Sequence, residues 1–138
     1  MIRKVYFKNL KQISDLYYSE MAKQFKEVGE EPVTSKEFER RLRKNFDKSK
    51  MFVLDIKGGV KGFIWYFKEG KEYNLEEIFV VDKGKGYGKL LINFLLEEAK
   101  KRKIQKINLD VHFKNKTAQD FFKKFGFSER TIEMSLDL

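Results

Sequence analysis

Residues 83–89 read Lys-Gly-Lys-Gly-Tyr-Gly-Lys, with Gly84, Gly86 and Gly88 two apart and Lys83, Lys85 and Lys89 around them. The run joins a strand-like stretch ending at Val81 to an amphipathic stretch beginning at Leu90. Glycine there allows positive φ and close approach of the backbone to a ligand. The first amides of a helix lack intrahelical partners, and the helix dipole lies behind them. A strand-to-helix turn of this composition therefore suits an anion, above all a phosphate or pyrophosphate; the plain alternative is a solvated glycine-rich turn. Just upstream, Glu76 and Glu77 are adjacent carboxylates that could take a proton from a reacting group. Successive strand residues face opposite ways, so at most one of the two points into a given cleft unless a bulge intervenes.

Spacing excludes two common phosphate motifs. A P-loop needs four residues between its glycines, followed by Lys and Ser or Thr; Gly84 and Gly88 enclose three, and Leu90 follows Lys89. A dinucleotide fingerprint needs G-x-G-x-x-G early in a parallel unit. Composition excludes more. With no Cys there is no disulfide, thiolate metal site or cysteine nucleophile, and one His cannot build a usual zinc centre, so no metal is expected. The 138 residues suit one domain, expected over 1–138, with a core that needs no staple. The net charge of +9 attracts anions. No stretch is apolar for long enough to span a bilayer, and the first residues lack the apolar core of a signal peptide, so a cytoplasmic protein is expected.

The elements that must position these residues follow from periodicity. Ile2–Phe7 suggests a short strand. Leu10, Ile13, Leu16, Tyr17 and Met21 recur at helical spacing, predicting a helix from about Leu10 to Val28. Thr34-Ser35-Lys36-Glu37 fits a capping box, with Glu37 reaching back, and opens a basic helix striped by Phe38, Leu42 and Phe46. Met51–Ile56, Val60–Phe67 and Tyr73–Val81 predict an antiparallel meander, turning at Gly58-Gly59 and at Glu69-Gly70-Lys71. A helix follows the glycine run, then a strand Lys106–Val111, a short helix Thr117–Phe125 stopped by Gly126, and a last strand or hairpin Phe127–Leu138. The order is β-α-α-β-β-β-α-β-α-β. A right-handed crossover makes the strands flanking the glycine-loop helix parallel within a mostly antiparallel sheet, a mixed α/β fold.

The chain resembles the GCN5-related N-acetyltransferase superfamily. Lys83-Gly84-Lys85-Gly86-Tyr87-Gly88 is similar to that family's Arg/Gln-x-x-Gly-x-Gly/Ala cofactor motif, and Leu75-Glu76-Glu77-Ile78-Phe79-Val80 to the strand before it. Asn115 to Phe127 is similar to its second motif, Asn-x-x-Ala-x-x-Phe-Tyr-x-Lys-x-Gly-Phe. The likeness covers essentially residues 2–138. Two departures stand out: the loop is about two residues short with Lys83 at the Arg/Gln position, and Phe122 replaces the Tyr that often protonates the departing thiolate.

The resemblance implies a sheet with a central parallel pair around a cofactor cleft, and acetyl-coenzyme A as co-substrate. It places the pyrophosphate on the amides from Gly84 through Lys85, Gly86, Tyr87 and Gly88 to Lys89. It sets the pantetheine arm against the main chain of Ile78, Phe79 and Val80, where one amide would also face the thioester oxygen. Asn115 would contact the arm, and Phe122 would pack near the sulfur. The implied reaction is direct attack by a primary amine, with Glu76 as base and Glu77 second, the strand looking most like the diamine acetyltransferase branch. The acceptor is a small amine or polyamine, or a protein amino group, and Glu27, Glu30 and Glu31 could add local acidity. A non-catalytic coenzyme A-binding module is the alternative, and a nucleic-acid-binding protein ranks last. A homodimer is in keeping with the family, with no interface located.

Smaller features read mostly as structure. Of Trp65, Tyr66 and Phe67, at least two are expected in the core. One of Tyr17 and Tyr18 is expected buried and the other exposed. His112 reads as a partly exposed loop residue, and Lys100–Lys103 with Lys106 as a solvated helix end.

Overall fold

The computed structural model describes all 138 residues. Five strands form one sheet in the order β1-β2-β3-β4-β5. They are β1 (Ile2–Lys4), β2 (Lys50–Ile56), β3 (Gly59–Glu69), β4 (Glu72–Val80) and β5 (Lys106–Asn108). The first four pair antiparallel in sequence order, and β5 lies parallel to β4. Helices α1 (Leu10–Glu27) and α2 (Ser35–Asn45) cover one face, and α3 (Tyr87–Lys101) and α4 (Lys116–Lys123) the other.

Period-2 patterning explains why the sheet has two cores. On β2, Met51 and Val53 face α1 and α2, whereas Phe52 and Leu54 face α3. On β3, Phe63 and Trp65 take the first face and Ile64 and Tyr66 the second. Tyr17 stacks on Phe38 with ring centroids 3.7 Å apart, locking α1 to α2. Trp65 and Tyr66 are buried as expected, as is Tyr17, while Tyr18 is exposed. The indole N–H of Trp65 donates to Ser49 Oγ at 2.8 Å, so its burial leaves no orphan donor.

Local details differ from the sequence reading. Residues 7–9 form a 3₁₀ turn, so β1 stops at Lys4. The β2–β3 turn is Lys57-Gly58, one residue earlier than Gly58-Gly59. Both residues have positive φ (53° and 83°), the two-residue geometry that matches strand twist. Only half of the capping box forms. Thr34 Oγ1 accepts from the Glu37 amide at 3.1 Å, but the Glu37 carboxylate binds the Arg40 guanidinium at 2.7 and 2.9 Å instead of reaching back. A charged donor three residues on outcompetes a main-chain N–H. Thr34→Ala is expected to lower stability by about 1 kcal/mol, read from denaturant melts.

β5 ends at Asn108 instead of Val111, and residues after Lys123 form no regular element where a final strand was expected. Gly126 does end the helical turn, with φ 97°. No helix is long and apolar enough to cross a membrane.

Candidate functional site

The site begins with a break in alternation on β4. Tyr73 and Leu75 face α3, but Phe79 faces α1 and α2, although all three positions are odd. One extra residue accounts for the change of face. Trp65 opposes Glu77 and Tyr66 opposes Leu75, leaving Glu76 bulged out of the ladder. Glu76 and Glu77 consequently both turn toward α1 and α2.

Their surroundings differ. Glu76 is exposed, and one of its oxygens lies 3.9 Å from Arg41 Nη2 on α2, a pair exposed on both sides. Glu77 is partly buried. Desolvation pushes its carboxyl up to about 8. The Glu76 charge adds to that, while the Ile78 amide and Arg41 pull it part of the way back. Burial raises the pKa of the Tyr17 hydroxyl, the Glu77 charge adds to the rise, and Arg41 opposes it. Sequence reasoning gave Arg41 no part in the site; it was one of the residues that make its helix basic. Its position three residues from buried Phe38, at the edge of the apolar stripe, was the available signal.

Beside the bulge the sheet opens. β4 pairs with β5 only at Glu72, Tyr73 and Asn74, opposite Lys106, Ile107 and Asn108. The Asn108 side-chain amide ties the last pair together, donating to Glu72 Oε1 at 2.8 Å and Asn74 Oδ1 at 3.0 Å. From Leu75 onward the β5-facing edge of β4 has no strand beside it. That edge includes the main chain of Ile78, Phe79 and Val80. The Phe79 side chain is buried, while those of Ile78 and Val80 pack in part against the α3 core.

β4 runs into the glycine loop. Lys61 Nζ holds Asp82 at 2.9 Å, and Asp82, Gly84 and Gly86 all take positive φ (60°, 85° and 81°). Gly86 is the N-cap of α3, and the first helical bond runs from the Leu90 amide to the Gly86 carbonyl at 3.2 Å. None of the amides from Lys83 to Lys89 has an acceptor within the chain. Residues 82–86 are exposed, as is Lys89, while Tyr87 and Gly88 are partly buried. Gly88 is favoured for a different reason: a Cβ there would stand a tight 3.2 Å from Phe121 Cζ on α4, which would have to give by a few tenths of an ångström. The loop thus presents consecutive free amides and three lysines at a helix N-terminus, which fits a diphosphate.

The second motif lies across the opening. Asn115 caps α4, its Oδ1 accepting from the Ala118 amide at 3.1 Å, so only its Nδ2 is free to donate. Phe122 is buried against Phe127 and Phe121. His112, partly exposed as expected, lies 3.1 Å from Glu30 and so ties the α1–α2 connection to the loop after β5. A cavity of about 310 Å³ lies between α1 and the glycine loop, lined by Ser19, Glu20, Lys23, Gln24, Glu27 and Lys83. Its lining residues are all polar or charged, and neither Glu76 nor Glu77 is among them.

The arrangement combines a loop of free amides at a helix N-terminus, an open strand edge, and a partly buried carboxyl that burial pushes up to about 8. Together they can hold an extended phosphorylated ligand and remove a proton beside it. The Acetyltransferase (GNAT) family model matches residues 10–127. An uncharacterized N-acetyltransferase of Methanocaldococcus jannaschii is 34% identical, over 62% of this chain and 42% of that protein. The uncharacterized N-acetyltransferase YycN of Bacillus subtilis is 31% identical, over 57% of this chain and 54% of its own length. The chain thus spans about half the length of the curated relatives it matches. The crystal structure of the ribosomal-protein-S18-alanine N-acetyltransferase from Escherichia coli is similar in fold, with TM-score 0.81 at 22% identity, covering 95% of this chain and 79% of that one.

Proposed function

The chain belongs to the Acetyltransferase (GNAT) family, and from that premise we propose that residues 1–138 form one catalytic domain transferring acetyl from acetyl-coenzyme A to a primary amine. The observation that carries the reading is the β4 bulge, which brings two carboxylates to one face beside an unpaired strand edge. The co-substrate supplies an acyl group activated as a thioester. The free amides from Lys83 to Lys89, with the lysines among them, are the donors available to its diphosphate. The open edge at Ile78, Phe79 and Val80 suits an arm lying along it as an added strand. Amides of the same edge can stabilise negative charge developing on a carbonyl oxygen. The Asn115 Nδ2 is a further donor available to the arm.

Glu77 takes the amine's proton, directly or through one water. The resemblance puts Glu76 first, but burial favours the reverse order. A base is most effective when its pKa lies near the working pH, and the Glu77 carboxyl sits at about 8. Exposed Glu76 raises the proton affinity of Glu77, and Arg41 beside it partly offsets that charge. The acceptor is a small amine or polyamine, or a protein amino group. Phe122 has no proton to give, which favours the second reading, a non-catalytic coenzyme A-binding module.

Acetyl transfer measured across polyamines, lysine peptides and peptides with free N-termini separates the two. At least one class is expected to be turned over, with kcat/KM rising along a limb centred near pH 8, the Glu77 value. Coenzyme A binding without turnover of any amine would establish the binding module instead.

A further inference from the structure

Net charge by itself names no partner, but the fold gathers this charge in one place. Residues 1–11 and 40–50 hold ten Lys and Arg and a single acid, Asp47, while the rest of the chain carries as many acidic as basic side chains. The whole excess of +9 therefore belongs to two segments separated by most of α1. The sheet and α2 bring them together. Lys4 of β1 lies opposite Phe52 of β2, the Val5 amide donates to the Met51 carbonyl at 3.1 Å, and Phe7 meets Phe46 edge-on with centroids 5.3 Å apart. Neighbouring elements neutralise part of the charge. Arg3, Lys11, Arg40 and Arg43 pair with Asp55, Asp15, Glu37 and Glu39, and Arg41 reaches Glu76. Lys4, Lys8, Lys44, Lys48 and Lys50 form no ion pair.

Aromatic rings are interleaved with these cations. Tyr6 and Phe7 are 56% and 48% exposed, although Val5 and Leu10 on either side of them are buried. Arg3 Cζ lies 5.2 Å and Lys8 Nζ 6.0 Å from the Tyr6 ring centroid, and Arg43 Cζ lies 4.9 Å from that of Phe7. An exposed ring offers a stacking surface to a planar base, and a cation beside it takes the phosphate next to that base. Free lysines alone would suit any polyanion. An acidic peptide or a lipid headgroup uses the charge but has no planar base to lay on the rings. A duplex keeps its base faces stacked on one another. A single strand uses both the rings and the lysines.

We propose that the surface formed by residues 3–8 and the end of α2 binds single-stranded nucleic acid, with bases stacked on Tyr6 and Phe7 and phosphates on Lys4 and Lys8. β1 lies three strands from β4, about 14 Å at ordinary strand spacing, and the surface includes neither the carboxylate pair nor the glycine loop. The inference stands apart from the catalytic reading, and no measurement below uses activity.

Fluorescence anisotropy of the full chain with a labelled oligouridine of about twelve nucleotides is expected to show binding that weakens with salt. A plot of log K against log salt concentration should have a slope of about −2 to −3, as three or four phosphates release counterions. Tyr6→Leu keeps an apolar side chain but removes the ring, and should weaken binding about tenfold with the slope unchanged. Lys4→Glu with Lys8→Glu should weaken it at least about tenfold and flatten the slope by about 1.4. The same charge change at the opposite edge of the sheet, Lys100→Glu with Lys106→Glu, should leave affinity within about threefold at about 0.15 M salt, where charges at that distance are screened. Unchanged circular dichroism melts would confirm that the variants are folded. Absence of binding at high micromolar concentration overturns the proposal, as does equal affinity for a duplex of the same length. Equal losses from the two double variants, or full binding by Tyr6→Leu, would reduce the contact to net charge and overturn it as well. So would displacement of the strand by saturating coenzyme A, which would place it on the glycine loop.

Discussion

Replacing Glu77 with glutamine is expected to lower kcat/KM for the amine acceptor by about 10²- to 10³-fold, the range for losing a positioned general base. Coenzyme A affinity should stay within about twofold, because the side chain faces α1 and α2, away from the glycine loop. The pH limb near 8 should vanish with the carboxyl. Glu76→Gln should cost less than about tenfold, since that group is exposed and shares a long contact with Arg41. Stability gives an independent check on Glu77. In the unfolded chain its carboxyl ionises near 4.5, whereas in the native state it holds its proton to about 8. The native state therefore binds more protons between those values. Stability attributable to this group is full below about 4.5, falls as pH rises toward 8, and is level beyond. Glutamine removes that fall, so thermal melts should show Glu77→Gln gaining on the wild type as pH rises from 5 to 8.5. Full activity with an intact pH limb in Glu77→Gln would take the proton-acceptor role from this residue.

The second large effect belongs to the loop. Gly86 caps α3 with φ 81°, a conformation costing an L-residue roughly 1–2 kcal/mol and a β-branched one more. Gly86→Val must twist this backbone toward negative φ, which re-aims the amides on either side. Losing about two charge-assisted hydrogen bonds corresponds to about a 10²-fold loss of coenzyme A affinity, measured by titration calorimetry. The melting temperature should fall by only about 3–8 °C, because the loop is exposed. Gly70, with φ 60° in the turn between β3 and β4, has the same local constraint away from the site. Gly70→Val should therefore destabilise comparably while binding coenzyme A normally. Equal binding by both variants would show that the loop amides do not hold the diphosphate.

Much of this molecule was legible from neighbours in the chain. Apolar alternation on β2 and β3, the i, i+3, i+4 spacing of α1, the Thr34 cap and the Gly126 stop depend on interactions within a few residues. The same holds for the glycine loop, where residue type restricts φ and where a strand meets a helix N-terminus. That is why the anion cradle could be named before any fold was known. Elsewhere the local pattern misled, because a distant partner decided the outcome. Arg40 captured Glu37, and β5 ended three residues early because its pairing with β4 stops at Asn74.

The amino-acid order by itself determined the mixed α/β class, the glycine-rich turn whose free amides suit an anion, and the pair of acidic residues ahead of it. Tertiary structure alone decided how that pair is used. Whether Glu76 and Glu77 share a face depends on the register of β4 against β3, which many side chains set jointly and which a single inserted residue reverses. Whether either carboxyl keeps its proton depends on what α1 and α2 lay over it, since desolvation is a property of enclosure and cannot be read from neighbours in the chain.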